Sequence, residues 1–299
     1  MMNNSNLITD LSHAQKRIWY TVQKYPNTAL CVLTYRISFP CEVRFPLLIK
    51  AVEHTLGVHS ALNVEFISDE NGLRQCFTDY KEHDSADIAV MRTLSEEQEW
   101  IRGISTSGDN CDLTNYIAVF PAKYADGSSG FLLRMHHLVS DGWTFQLLAE
   151  EIYENYCSLE EIGSFPEKET NTYYASFIEE EQKYLTTERS EKNRQYWIDH
   201  LNNLPEPFDF PEYSSPKAHR YETALSWEDK ELLEQYCSEN SCSLYSVFFS
   251  LLKVLILHWQ NREHFIIGTT THGRTSRSAK ATAGMFVNTM AYNICINPN

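Results

Sequence analysis

The segment Met135-His136-His137-Leu138-Val139-Ser140-Asp141-Gly142-Trp143 gathers the residues of this chain best suited to moving a proton. Two adjacent imidazoles are followed at fixed spacing by a carboxylate and a glycine. With 11 His and 11 Gly among 299 residues, chance places H-H-x-x-x-D-G in such a chain with a frequency on the order of one in a thousand. An imidazole near neutrality can take a proton from an attacking amine or hydroxyl. A carboxylate four positions after His137 is better suited to holding a loop than to direct chemistry. Gly142 would let a substrate approach the backbone closely. A lone histidine is more often a core residue satisfied by its neighbours, but the pair in this spacing tips the balance. The candidate catalytic set is therefore His137, His136, Asp141 and Gly142, with Trp143 beside it.

These residues need a rigid carrier, and the flanking pattern supplies one. Asn115–Ala122 and Phe131–His137 are strand-like, and Asp126-Gly127-Ser128-Ser129-Gly130 between them has hairpin-loop chemistry. After Gly142 come Phe145, Leu148, Ala149, Ile152 and Tyr156 at helical spacing. The motif thus lies where a hairpin strand runs out before a helix, a rigid place to hold a side chain in a cleft. Upstream, Ser12 caps a helix reaching about Lys24, Val32–Phe39 is a strand, and Pro46 starts a helix that Gly57 can stop. Leu62–Ile67 and Gly72–Thr78 are short strands.

Downstream, Ser158–Asn171 loses periodicity and is the expected linker. A helical region follows from about Tyr173 to Leu204, ended by Pro205, and the proline-rich Pro205–Tyr221 is irregular. Helices near Trp227–Ser238 and Ser243–Trp259 precede a strand at His264–Thr269. The apolar stretch Leu244–Trp259 is too short and too polar to span a bilayer and is expected to be a buried core helix. Mixed strands and helices fit an α/β or α+β fold in two lobes, 1–165 and 172–299.

Charge and composition remove several alternatives. The net charge of −15 without a basic stripe argues against nucleic acid and against an anionic membrane surface. The eight cysteines, Cys31, Cys41, Cys76, Cys111, Cys157, Cys237, Cys242 and Cys295, include no C-x-x-C pair, so neither a zinc knuckle nor a redox dithiol is expected. Buried free thiols in a reducing cytoplasm, with no signal peptide at Met1, are the expectation. No G-x-S-x-G surrounds Ser140, which argues against a serine hydrolase. Glu96-Glu97 and Glu179-Glu180-Glu181 are expected to be solvated helix faces. His13, His54, His83, His200, His219, His258 and His264 show no ligand spacing, so no metal site is expected. His272 and Arg274 lie in a Gly-bounded loop that could be a plain surface turn, and Asn288 is either a loop cap or a cleft hydrogen-bonder.

The His137 motif resembles the signature of nonribosomal peptide synthetase condensation domains, within the chloramphenicol-acetyltransferase-like superfamily. Other segments resemble family motifs in order: Leu11–Trp19 the S-x-A-Q-x-x-x-W helix, Val58–Phe66 the R-H-E-x-L-R-x-x-F element, and Tyr174–Phe177 the Y-x-D-F element. Tyr196-Trp197 before Leu201 and Pro205, Ile267–Arg274 and Gly284–Thr289 complete the series, the last two resembling I-G-T-P-x-x-G-R and G-x-F-V-N-T. Departures are Val58, Ser60 and Asn63 in the second motif, Ser176 for Asp, and Thr270 for Pro. The resemblance implies a two-lobed chloramphenicol-acetyltransferase-like fold with His137 in a tunnel between the lobes. It also implies that Arg274 pairs with Asp141 across them and that Arg274, Asn288 and Trp143 position substrate or structure.

Its implied function is amide formation between a thioester donor and an aminoacyl acceptor, both carried on 4'-phosphopantetheine arms of carrier proteins. The domain would bind no cofactor of its own, and adenylation and carrier domains would adjoin it. The family's domain is longer, so the second lobe is expected to be incomplete and the isolated chain inactive or poorly stable. The rivals are a stand-alone O- or N-acyltransferase of the same fold and a non-catalytic remnant. The intact H-H-x-x-x-D-G argues against the remnant.

Overall fold

Ser12 sets the first long helix by a reciprocal cap: its Oγ accepts from the Gln15 N–H at 3.1 Å, and Gln15 Oε1 accepts from the Ser12 N–H at 2.9 Å. A short strand β1 (Ile8–Asp10) precedes this helix, α1 (His13–Lys24). The structure is a computed structural model describing residues 6–39, 42–70, 72–81, 86–107, 113–202, 204–206, 208, 221 and 223–296. Most of Pro205–Tyr221, and Cys41, His83, Cys111 and His219, lie outside the described residues.

Strand β2 (Val32–Phe39) and helix α2 (Phe45–Gly57), with Pro46 in its first turn, follow. Next come β3 (Val64–Asp69), β4 (Gly72–Phe77), β5 (Ala89–Val90), α3 (Leu94–Thr106), β6 (Ile117–Lys123) and β7 (Ser129–His136). Helices α4 (Gly142–Ile162) and α5 (Tyr173–Leu185) then lead to α6 (Glu188–His200), α7 (Trp227–Glu239) and α8 (Leu244–Gln260). Strand β8 (His264–Thr271), the one-turn helix α9 (Arg277–Lys280) and β9 (Asn288–Cys295) complete the described chain.

Strand β7 is the structural axis of the site. It lies inside a four-stranded sheet of order β2-β7-β6-β5, antiparallel to β2 and to β6, and all eight of its residues are buried. Phe131, Leu133 and Met135 share one face and join Phe145, Leu148 and Ile152 of α4 and Leu48, Val52 and Leu56 of α2 in one core. A second sheet has the order β1-β4-β3, and β8 pairs with β9.

By packing, residues 1–190 and 271–288 form one compact unit, and 191–270 with 289–299 form another. This differs from the division at 165–172 read from the sequence. Tyr174, Ala175 and Ile178 of α5 belong to the first unit's core, and so do Ala279, Ala283 and Phe286 of the β8–β9 loop.

Further expectations need correction. Helix α4 continues to Ile162 and stops at Gly163 in the left-handed conformation (φ +74°), so the linker begins later than Ser158. The helical region from Tyr173 is two helices, because Thr186 and Thr187 turn the chain back onto the Lys183 and Tyr184 carbonyls. Glu97 is buried, ion-paired to Arg36 at 3.2 Å and accepting from the Ala125 N–H at 3.0 Å, because α3 lies over the sheet face that carries Arg36. Helix α8 has no buried residue: Leu251, Val254, Leu255 and Trp259 are all more than half exposed. Of the six described cysteines only Cys31 and Cys76 are buried. Among the described residues no single helix is long and apolar enough to cross a membrane.

Candidate active site

The sheet hands His137 to a turn held by the N–H groups of His137, Leu138 and Val139. The His137 N–H donates to the Cys31 carbonyl at 2.8 Å, extending the β2–β7 ladder one residue past the strand. The Val139 N–H then returns to the His136 carbonyl at 3.1 Å. Leu138 and Val139 are buried, Leu138 beside Leu11 and Leu73, Val139 in the main core. Gln15 of α1 donates to the Leu138 carbonyl at 2.9 Å, which explains a glutamine in that helix's motif.

The imidazole of His137 is oriented by the same turn. Its Nδ1 lies 2.7 Å from the Ser140 carbonyl oxygen. A carbonyl can only accept, so Nδ1 carries the hydrogen and Nε2 of the neutral ring holds an available lone pair. The ring is half-buried. His136 is different: it is buried, its Nδ1 accepts from the Leu138 N–H at 3.0 Å, and it folds the turn. Burial above all, and then the neighbouring His137 and Arg134, push its pKa down to about 4, so it stays neutral.

Asp141 caps α4 and closes the turn. Oδ1 accepts from the Thr144 N–H at 2.9 Å and its hydroxyl at 3.0 Å; Oδ2 accepts from Arg274 Nη1 at 2.6 Å and the Phe286 N–H at 3.1 Å. Both side chains of the Asp141–Arg274 pair are 0% exposed. Asp141 therefore has no free lone pair directed at solvent, and its role here is to position. Arg274 also donates through Nη2 to Thr144 Oγ1 and to the Thr282 and Gly284 carbonyls, and its guanidinium lies 4.2 Å from the Phe286 ring centre. Both partners belong to the first unit, so the pair sits within one packed body rather than across two lobes.

Thr144, Asn171 and Thr282 join this cluster without a sequence signal of their own, and Tyr174 carried one by resemblance alone. Thr144 Oγ1 accepts from the Gly284 N–H (3.0 Å) and lies 2.9 Å from the Gly284 carbonyl oxygen, fastening the β8–β9 loop to α4. Tyr174 donates to the Met285 carbonyl at 2.9 Å, and its ring lies 2.6 Å from where a Cβ on Gly284 would fall. Asn171 donates to the Ala281 carbonyl and accepts from Thr282 Oγ1. What could have pointed to the three is position alone: each is near a motif, and each side chain is short and polar.

The remaining expected site residues are placed as follows. Gly142 opens α4 and is exposed; a Cβ there would meet only Tyr35 Oη, at an ordinary 3.5 Å. Trp143 Nε1 donates to the Lys280 carbonyl at 2.9 Å, and its ring centre is 5.5 Å from that of His272. Asn288 starts β9, half-buried, with no side-chain hydrogen bond among the described residues. In the altered second motif, His59 is buried and its Nε2 lies 2.9 Å from Glu151, which also pairs with Lys168 at 2.6 Å. Burial tends to raise the Glu151 pKa, but hydrogen bonds and charge from His59 and Lys168 win and lower it. A cavity of about 760 Å³ lies elsewhere, lined by Asn63, Glu65, Phe66, Tyr116 and their neighbours, and none of the motif residues around His137 borders it.

The family model described as Condensation domain matches residues 7–299. Bacitracin synthase 3 of Bacillus licheniformis is 25% identical over 295 residues, covering 94% of this chain and 4% of the relative. Tyrocidine synthase 3 of Brevibacillus parabrevis is 31% identical over 297 residues, covering 94% of this chain and 4% of the relative. The chain thus spans only a small fraction of the length of these curated relatives. Among solved structures, the first condensation domain of the calcium-dependent antibiotic synthetase in complex with a substrate analogue superposes with TM-score 0.85 at 18% identity, covering 98% of this chain and 71% of that one. The mixed α/β fold is that of condensation-domain structures.

Proposed function

The chain belongs to the condensation-domain family, and on that premise we propose that it forms amide bonds between a thioester-bound acyl or aminoacyl donor and an aminoacyl acceptor. Donor and acceptor arrive on phosphopantetheine arms of two carrier proteins, with adenylation and carrier domains as neighbours. The observation that carries this reading is the His137 ring, held through Nδ1 on the Ser140 carbonyl, with no hydrogen bond to Nε2 among the described residues. The acceptor amine attacks the donor carbonyl carbon, a C–N bond forms, and Nε2 takes a proton from the nitrogen. The C–S bond then breaks, and His137 returns the proton to the departing thiolate. The Ser140 carbonyl faces the Nδ1–H throughout and favours the transient imidazolium. Asp141 and Arg274 touch neither reactant; they hold the turn that holds the ring. Tethering both reactants supplies much of the remaining acceleration.

The test is single-turnover condensation by the intact synthetase module with both carriers loaded. His137→Ala should lower the rate by about 10²–10⁴-fold. An unchanged rate under conditions where chemistry limits turnover overturns the assignment. Equal turnover of a soluble acyl thioester would convert the reading to a stand-alone acyltransferase, and no amide from the wild-type module would make the domain non-catalytic.

A further inference from the structure

Helix α7 ends in a cap that sets two cysteines side by side. The Cys242 N–H donates to the Cys237 carbonyl at 3.0 Å, and Ser241 adopts φ +50°. A six-to-one bond closed by a left-handed residue is a Schellman cap, and that cap brings the side chains at its two ends into contact. The contact is ordinarily apolar; here both of its positions are cysteine. Both are half-buried and unlinked, so a small reagent can reach them. Sequence spacing hides this pairing, because C-x-x-x-x-C matches no redox motif and only the cap folds it together.

We propose that Cys237 and Cys242 are a redox-active dithiol, closed to an intramolecular disulfide by a small-molecule disulfide such as oxidised glutathione. The thiolate of one cysteine attacks the small disulfide, its S–S bond breaks, and one small thiolate leaves. The second cysteine, deprotonated in turn, attacks the cysteine sulfur of this mixed disulfide and expels the other small thiol. Two protein thiols are oxidised, and the two electrons reduce one small disulfide to two thiols. Burial first, then the neighbouring thiol and Glu234, push the Cys237 thiol pKa up, so the exchange accelerates with rising pH. The new bond would staple the turn at which α7 and α8 meet at 99°, fixing the direction of α8.

The experiment treats the full chain with oxidised glutathione at pH 7 and pH 8.5, alkylates free thiols in denaturant, and maps tryptic peptides by mass. Residues 231–253 form one tryptic peptide holding both cysteines. It should appear unalkylated and lighter than the reduced peptide by two hydrogens in most molecules, sooner at the higher pH, while Cys31 and Cys76 stay alkylatable. Cys237→Ser and Cys242→Ser should each abolish that species and accumulate a glutathione adduct on the remaining thiol. Circular dichroism of both variants establishes that they fold. Recovery of both cysteines alkylated, or of a stable glutathione adduct as the main wild-type product, overturns the proposal.

Discussion

Asp141 and His136 are the two motif residues whose surroundings leave them no room for chemistry. Asp141 has four donors on two oxygens and no solvent. Truncating Arg274 would leave that carboxylate buried without its charge partner, a loss of about 3–5 kcal/mol. Arg274→Ala and Asp141→Asn should each shift the denaturant midpoint strongly. The double variant should lose less than their sum, and strict additivity in the cycle would refute the coupling. His136 gives a pH signature. Its folded pKa of about 4 lies below the ordinary histidine value, so in that interval the unfolded chain binds a proton that the native chain refuses. Stability from this site is therefore complete above about pH 6.5 and is lost as pH falls toward 4, by about 3 kcal/mol in all. His136→Asn should flatten the acid limb of stability against pH by about one proton; an unchanged slope would show that His136 titrates normally. The sequence could mark both histidines but could only weakly separate them. Their roles diverge because the strand ends between them, one ring staying in the sheet and the other entering the turn.

At the scale of elements, legibility followed local chemistry. Ser12 with Gln15, Pro46, Gly57 and the alternation in Val32–Phe39 act within a few residues, and α1, β2 and α2 begin and end where those signals stand. Glu97 failed because its reason is a distant one: Arg36 lies on a strand sixty residues earlier, which no local pattern reveals. The β8–β9 loop lies between these cases. Its motif was visible, yet its attachment to α4 through Thr144 depends on contacts across 140 residues of sequence. Two glycines make that attachment possible. Gly273 has φ +68°, and a Cβ there would fall 2.2 Å from the Phe286 carbonyl oxygen; Gly284 has φ +141° against the Tyr174 ring. Backbone cannot yield as a side-chain tip can, so Gly273→Ala should displace the loop and carry Arg274 away from Asp141. We expect a stability loss of about 1–3 kcal/mol from the strained backbone alone, with further loss from the broken pair. Gly268→Ala in β8, whose Cβ would meet only the Thr289 methyl at 3.5 Å, is the control. Equal melting of the two variants would show that the loop tolerates a shift.

Across the whole molecule, the chain's apolar content is unevenly used. The first unit holds the main core, whereas α8, with Phe248, Leu251, Val254, Leu255 and Trp259 each about half or more exposed, buries none of its residues. An apolar 17-residue helix signals that something covers it, and composition alone led to the expectation that this chain would do so itself. Two forces then compete in solution. Each of these side chains gains about 1.5–3 kcal/mol on full burial, a gain that pairing of α8 faces sets against the entropic cost of bringing two copies together. Opposing this, a net charge of −15 repels copies of the chain, but that repulsion acts over a Debye length of about 30 Å at 0.01 M salt and only about 8 Å at 0.15 M. Salt therefore decides the balance. The 299-residue chain should sediment mainly as monomer at about 0.01 M salt and self-associate as salt rises to about 0.5 M. Leu251→Lys with Leu255→Lys should keep it monomeric throughout, since the added positive charges sit on the associating face and oppose its pairing directly. These changes lie on an exposed face and should leave the circular dichroism spectrum unaltered. A wild-type chain that remains monomeric across the whole salt range, or a doubly substituted chain that associates as readily as wild type, would show that the α8 face is not the surface through which copies meet.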